Sequence, residues 1–295
     1  MTTDAAAAGT WTLGDRVVNR MGFGSMRLTV NPDRELAVRV LRRAVELGVN
    51  HIDTAAFYVS PGGPLRVGDG PVRYATELIR EALSPYPDDL VIATKVGPAW
   101  DATGRFAEAT TAAELRGQVE ENLRRLGRDH LDLVNLRIVT RPGRDSVAER
   151  FAALAQLRDA GLIRHLGLSN VRADHLDEAQ AIAPVTCVQN GYGVDTNRSD
   201  DALVATCGER GIAFVPFFAI AGTRRGVGAG DDHDTAVHAV AAAHGASPQQ
   251  VRLAWTLHRG QHVLAIPGTG DPAHLTENVA AAGLKLTDDD LSRLG

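Results

Sequence analysis

Residues 34–53 read RELAVRVLRRAVELGVNHID. Leu36, Val40, Leu41, Ala44 and Leu47 recur at helical spacing, so the segment predicts a helix with one apolar face. Gly48 is a helix stop, and the β-rich run 49–52 follows it at once, closing on Asp53. The same alternation continues outward, with strand-length apolar runs at 90–95, 131–136, 162–168, 185–189, 212–217 and 263–266 and helix-patterned segments between them. With 17–21 as the first strand and 49–52 as the second, the count is eight. Strands that alternate strictly with helices pair in parallel through helical crossovers. Eight of them in 295 residues fit a closed α/β architecture, the (β/α)8 TIM barrel, better than an open sheet, because closure leaves no unpaired edge.

Two additions to the barrel are expected. The opening TWTLGDRVV, 10–18, reads as a hairpin turning at Gly-Asp and closing the barrel's bottom. The interval between the seventh and eighth strands holds two helical patterns, 235–244 and 248–257, so an extra helix belongs before the last strand. No Pro/Ser-rich linker divides the chain, which predicts a single domain over 1–295.

With 31 Lys and Arg against 36 Asp and Glu, the chain has no general attraction for nucleic acid or anionic membranes. An anionic ligand therefore needs a local cation. The longest apolar stretch, 211–222, is too short to span a bilayer. The opening MTTDAAAAGT lacks the basic start of a secretory signal, and Cys187 and Cys207 are not in C-x-x-C spacing, so a reduced cytoplasmic location is expected. No H-x-H pair occurs among the ten histidines, and His258 and His262 read as surface residues; no metal is expected.

Barrels of this kind place their chemistry at the C-terminal ends of the strands. Asp53 ends the second strand, with Tyr58 in the loop behind it. Lys95 ends the third and Arg137 the fourth, Ser169 and Asn170 follow the fifth, and Gln189 and Asn190 end the sixth. A buried Lys needs a partner, and Asp53 on the neighbouring strand is the natural one. Tyr58 beside that ammonium is expected to have its pKa pulled below about 10 and to serve as a proton donor. Singly, each residue reads as a structural ion pair or an interface aromatic. Collected at successive strand ends, they read as a site.

The segments HIDTAAFY (51–58), VIATKVG (91–97), GLIRHLGLSN (161–170), VQNGY (188–192), VPFF (215–218) and IPGTGDPAHLTENVAA (266–281) resemble, in order and spacing, the signatures of the aldo-keto reductase family. The resemblance covers essentially the whole chain. It implies an oxidoreductase that binds NADPH, with NAD less favoured, and reduces an aldehyde or ketone to an alcohol. Tyr58 would be the general acid, Lys95 the cation that tunes it, and Asp53 the carboxylate that fixes Lys95. Ser169, Asn170 and Gln189 would hold the nicotinamide carboxamide, and Phe217 would stack on its ring. Gly24, Ser25, Phe218, Ile220, Gly222, Pro267, Gly268 and His274 would line the cofactor groove, with Thr269 at the ribose phosphate and Glu277 and Asn278 at the adenine.

Several positions depart from the family pattern. Arg137 stands where most members end the fourth strand in His, placing a second, permanent cation near Tyr58 and favouring an oxyanion or an anionic substrate group. The ending NLR is similar to a subgroup that includes bacterial pyridoxal reductases, which implies a pyridoxal-like substrate. The same replacement supports another reading, an NADP(H)-binding regulatory or redox-sensing subunit with little turnover. Gly268 and His274 stand where many NADP-preferring members carry Lys and Arg, which weakens the expected preference for NADPH. Arg224 and Arg225, after the seventh strand, are candidates to replace that charge. Ala219 replaces a common Pro, and GVGAG at 226–230 reads as a flexible lid.

Overall fold

The structure is a computed structural model that describes residues 3–63, 68–100, 106–139, 145–196, 198–220 and 235–295. Seven parallel strands follow one another in chain order: Phe23–Gly24, His51–Asp53, Val91–Val96, Leu131–Arg137, Ile163–Ser169, Cys187–Gln189 and Ala213–Phe214. The eighth position closes the ring. Val263 bridges Phe214 and Ala265 bridges Met21, both in parallel, and Gly22 N donates to Ala265 O at 2.8 Å. The expected (β/α)8 barrel is thus formed. Both helices of the longer interval, Thr235–His244 and Pro248–His258, precede the eighth strand.

The first strand lies later than the sequence reading puts it. Residues Arg16–Asn19 pair antiparallel with Thr10–Leu13 as the hairpin, and the barrel strand is 21–24. Val17 and Val18 look like a buried pair, yet Val17 is 60% exposed and only Val18 turns inward. The true strand was masked by Gly22 and Gly24, which have low strand propensity but are sterically required. A Cβ at Gly22 would lie 2.2 Å from His51 Nε2, and one at Gly24 2.7 Å from Ile266 O.

Inside the ring, strand alternation sorts the side chains into layers. Leu13 and Val18 of the hairpin pack with Val91, Ala93, Leu133, Cys187, Ala213 and Leu264, an apolar plug at the bottom. Two residues further along the same strands the interior becomes polar, with Lys95 beside Asn135 in register, followed by Asp53, Arg137, Ser169 and Gln189 at the mouth. Polarity therefore rises toward the C-terminal end. Among the described residues no helix is long and apolar enough to cross a membrane, and no cluster of His, Cys, Asp and Glu is arranged to hold a metal. His262 is buried, not on the surface, its Nε2 2.9 Å from Val204 O.

His51 is fully buried, and its ring nitrogens make no hydrogen bond of normal geometry. Desolvation pushes its pKa down to about 4. A depressed histidine pKa means that the unfolded chain binds the proton more tightly. The stability it contributes is present above about pH 6.5 and is lost as pH falls toward 4, a difference of about 3 kcal/mol. Chemical denaturation of the wild type and of His51→Phe between those limits is expected to show a steeper acid loss in the wild type. Identical slopes would contradict it.

Candidate active site

Strand register brings Asp53 and Lys95 together at the mouth. Lys95 Nζ donates to both Asp53 oxygens, at 2.6 and 2.7 Å, and to Thr54 O at 3.0 Å. Gln189 Nε2 donates to Asp53 Oδ1 at 2.7 Å. Lys95 is 1% exposed and Asp53 4%. Burial works against the ammonium, but the Asp53 carboxylate and the nearby phenol outweigh it, so the Lys95 pKa is raised and the side chain stays charged. Losing one member of such a pair leaves a buried charge without compensation.

Tyr58 packs beside this pair, with Lys95 Nζ 4.8 Å from its ring centroid. Its loop is pinned at several points. Tyr58 N donates to Ala55 O, Ala75 N donates to Tyr58 O, and Val59–Ser60 pairs with Arg73–Tyr74. Phe57 meets the ring edge-on at 5.3 Å, and Arg125, stacked on Tyr74, donates to Ala56 O at 3.2 Å. The expected downward shift of the phenol is overturned. Desolvation dominates and raises its pKa; Lys95 and, more weakly, Arg137 pull it down without reversing the sign. The sequence shows the cation but not the depth of burial, and that depth decides the direction.

At the later strand ends, Arg137 Nη1 donates to Ser169 Oγ at 3.0 Å, and its guanidinium lies 4.9 Å from the Phe217 ring centroid. Asn170 Nδ2 donates to Ile138 O, and its φ of 60° places it in the left-handed region. Asn190 is spent on structure: it accepts from Val171 N and donates to Val171 O and Asp200.

A cavity of about 610 Å³ opens at this mouth. Of the candidates, Gly24, Asp53, Tyr58, Phe217, Phe218, Ile220, Pro267, Gly268, Thr269, His274, Glu277 and Asn278 line it. Ser25, Lys95, Arg137, Ser169, Asn170 and Gln189 stand behind or beside that wall, while Gly222, Arg224, Arg225 and 226–230 lie outside the described residues. Met26, Arg27, Pro216, Gln249 and Ile266 also line it and were missed from sequence. Arg27 escaped because the first strand was placed too early, which left 22–27 unread as a strand end. Two buried polar atoms without partners, Gln189 Oε1 and Ser25 Oγ, mark the same region.

A closed parallel barrel with a buried Lys–Asp pair and a tyrosine at its C-terminal mouth, beside a cavity of that volume, defines a (β/α)8 oxidoreductase. Residues 20–295 match the model of the aldo/keto reductase family, and the chain belongs to that family of NAD(P)H-dependent carbonyl-reducing enzymes. It is 42% identical over 298 residues to pyridoxine 4-dehydrogenase of Escherichia coli (strain K12), covering 98% of each chain. Among solved structures, an aldo/keto reductase from Klebsiella pneumoniae in complex with NADP and acetate superposes with a TM-score of 0.77 at 25% identity, over 97% of this chain and 93% of that one. The thermostable aldo-keto reductase Tm1743, in complex with epalrestat, gives 0.76 at 29% identity over 97% and 98%.

Asp53→Leu is expected to destabilise the fold by roughly 3–5 kcal/mol by leaving the Lys95 ammonium alone. Adding Lys95→Met should restore most of that loss in urea titrations. A double variant as unstable as the sum of the singles would show that the pair is not coupled.

Proposed function

We propose that the chain reduces an aromatic aldehyde of the pyridoxal kind to its alcohol, with NADPH as the preferred reductant and Tyr58 as the proton donor. The observation that carries this reading is that Tyr58 and Asp53 line one cavity with Phe217, Thr269 and Glu277, and that Asp53 there is paired with the buried Lys95. The residues present fit a nicotinamide dinucleotide. Gln189 has committed its amide nitrogen to Asp53 and keeps a buried, unpartnered Oε1, the acceptor a carboxamide N–H requires. Ser169 Oγ accepts from Arg137 and keeps its own proton to donate. Phe217 offers a flat apolar surface, and Thr269, His274, Glu277 and Asn278 line the same cavity.

When bound, the dinucleotide supplies a hydride to the carbonyl carbon. Charge then grows on the carbonyl oxygen, and the Tyr58 hydroxyl neutralises it by donating its proton. Burial keeps that phenol protonated at neutral pH, so the donor is in place beforehand. The Lys95 ammonium steadies the phenolate left behind, and Asp53 with Gln189 keeps Lys95 aimed. Arg137 adds positive potential at the same mouth, which suits a hydroxyl-bearing pyridine ring with anionic character. Similarity to a pyridoxine 4-dehydrogenase supports that substrate class.

Single-turnover oxidation of NADPH by pyridoxal tests the reading. Tyr58→Phe is expected to slow it by about two to four powers of ten while leaving NADPH affinity within about twofold. Arg137→Met should lower kcat/KM for pyridoxal more than for benzaldehyde. A Tyr58→Phe enzyme with the full rate would remove Tyr58 as the acid, and equal losses on both aldehydes would remove the anionic-substrate role of Arg137.

A further inference from the structure

We infer that Arg27 is the cation that holds a phosphate group of the dinucleotide, an assignment that rests on the dinucleotide reading above. Arg27 follows the first barrel strand, in the single 3-10 turn Met26–Thr29, and lines the cavity next to the segment 266–270, to which that strand end is hydrogen-bonded. The wall there is fixed, since Ser25 N donates to Asp53 O at 2.9 Å and Gly24 N to Pro267 O at 3.0 Å. Among the described residues it is the only Lys or Arg of the lining, which also carries the carboxylates of Asp53 and Glu277. Asp53 is committed to Lys95.

The state of the guanidinium is the decisive feature. Other buried arginines spend their donors: Arg20 on Val263 O and Ala8 O, Arg73 on Thr29 O, Asp69 O and Pro71 O, and Arg252 on both oxygens of Asp195. Arg27 is less buried than these, though burial still lowers its pKa, and among the described residues its side chain has no hydrogen-bond, ion-pair or ring partner. A half-buried guanidinium on the cavity lining with five N–H donors unspent on the protein is open to a ligand, and a phosphate matches that fork bidentately. Two residues earlier, Ser25 Oγ is fully buried and also unpartnered. The adjoining segment is unable to supply the charge from position 268: a Cβ at Gly268 would lie 2.4 Å from Gly24 O, so any side chain there is excluded. Among the described lining residues the cation is Arg27 on the adjoining strand end.

A dinucleotide offers two sources of this chemistry, the pyrophosphate and the 2′-phosphate. Equilibrium titration of the full chain, of Arg27→Gln and of Arg27→Lys with NADPH and with NADH distinguishes them. Arg27→Gln is expected to weaken NADPH binding at least about tenfold and to flatten its salt dependence, with Arg27→Lys restoring part of both. Loss confined to NADPH assigns the 2′-phosphate; equal loss for both nucleotides assigns the pyrophosphate. Thermal unfolding without ligand should be unchanged in Arg27→Gln, because no internal bond is removed, and Arg27→Met provides a second neutral replacement. Unaltered affinity for both nucleotides in both neutral variants overturns the assignment alone. An unmodified chain that binds neither nucleotide overturns the dinucleotide reading, and the assignment with it.

Discussion

A charge buried at the mouth of the barrel is the constraint on which the site depends. Lys95 is almost wholly removed from water, so it must stay paired with Asp53, and Asp53 in turn holds Gln189. These three side chains arise from three strands whose relative register is fixed by the barrel's hydrogen bonds. Tyr58 is then seated against the pair by a loop with its own strand pairing and an arginine brace. The same burial that makes the ion pair obligatory also raises the phenol's pKa. The tyrosine is thus a held proton, with a cation waiting for the charge it leaves.

The layering of the interior explains why this chemistry sits at one end only. The hairpin plug and the residues from Val91 to Leu264 in the lower layer form an apolar cluster. Gly22 and Gly167 make space for His51 and Asn135, since a Cβ at Gly167 would meet Asn135 Oδ1 at 2.1 Å. These two polar side chains are admitted where a glycine on a neighbouring strand yields the volume. The cavity begins where the strands end, and loops from several strands furnish its walls.

The barrel was legible because its signal is repeated: one helix–strand unit read at 34–53 predicts the pattern at the others. Asp53, Lys95 and Gln189 were legible as polar residues closing apolar runs, and Tyr58 as the aromatic in the loop behind the first of them. What sequence concealed has physical causes. Glycines 22 and 24 carry no side chain to register as a strand, so the first strand was displaced onto the hairpin and Arg27 was overlooked. The sign of the Tyr58 shift depends on burial against charge, and spacing reports only the charge. His262 follows a helix by a few residues and looked solvated, but the chain turns it beneath Trp11, with the two rings 6.2 Å apart.

The central claim is that Lys95 acts on the reaction through the Tyr58 phenol. It is tested most directly by a double-mutant cycle on the single-turnover hydride-transfer rate, using Tyr58→Phe, Lys95→Met and the combination with saturating NADPH. Strong non-additivity is predicted, with the double variant no slower than Tyr58→Phe alone, because an ammonium that serves the phenolate has nothing to serve once the hydroxyl is gone. Rate losses that multiply independently would contradict the account.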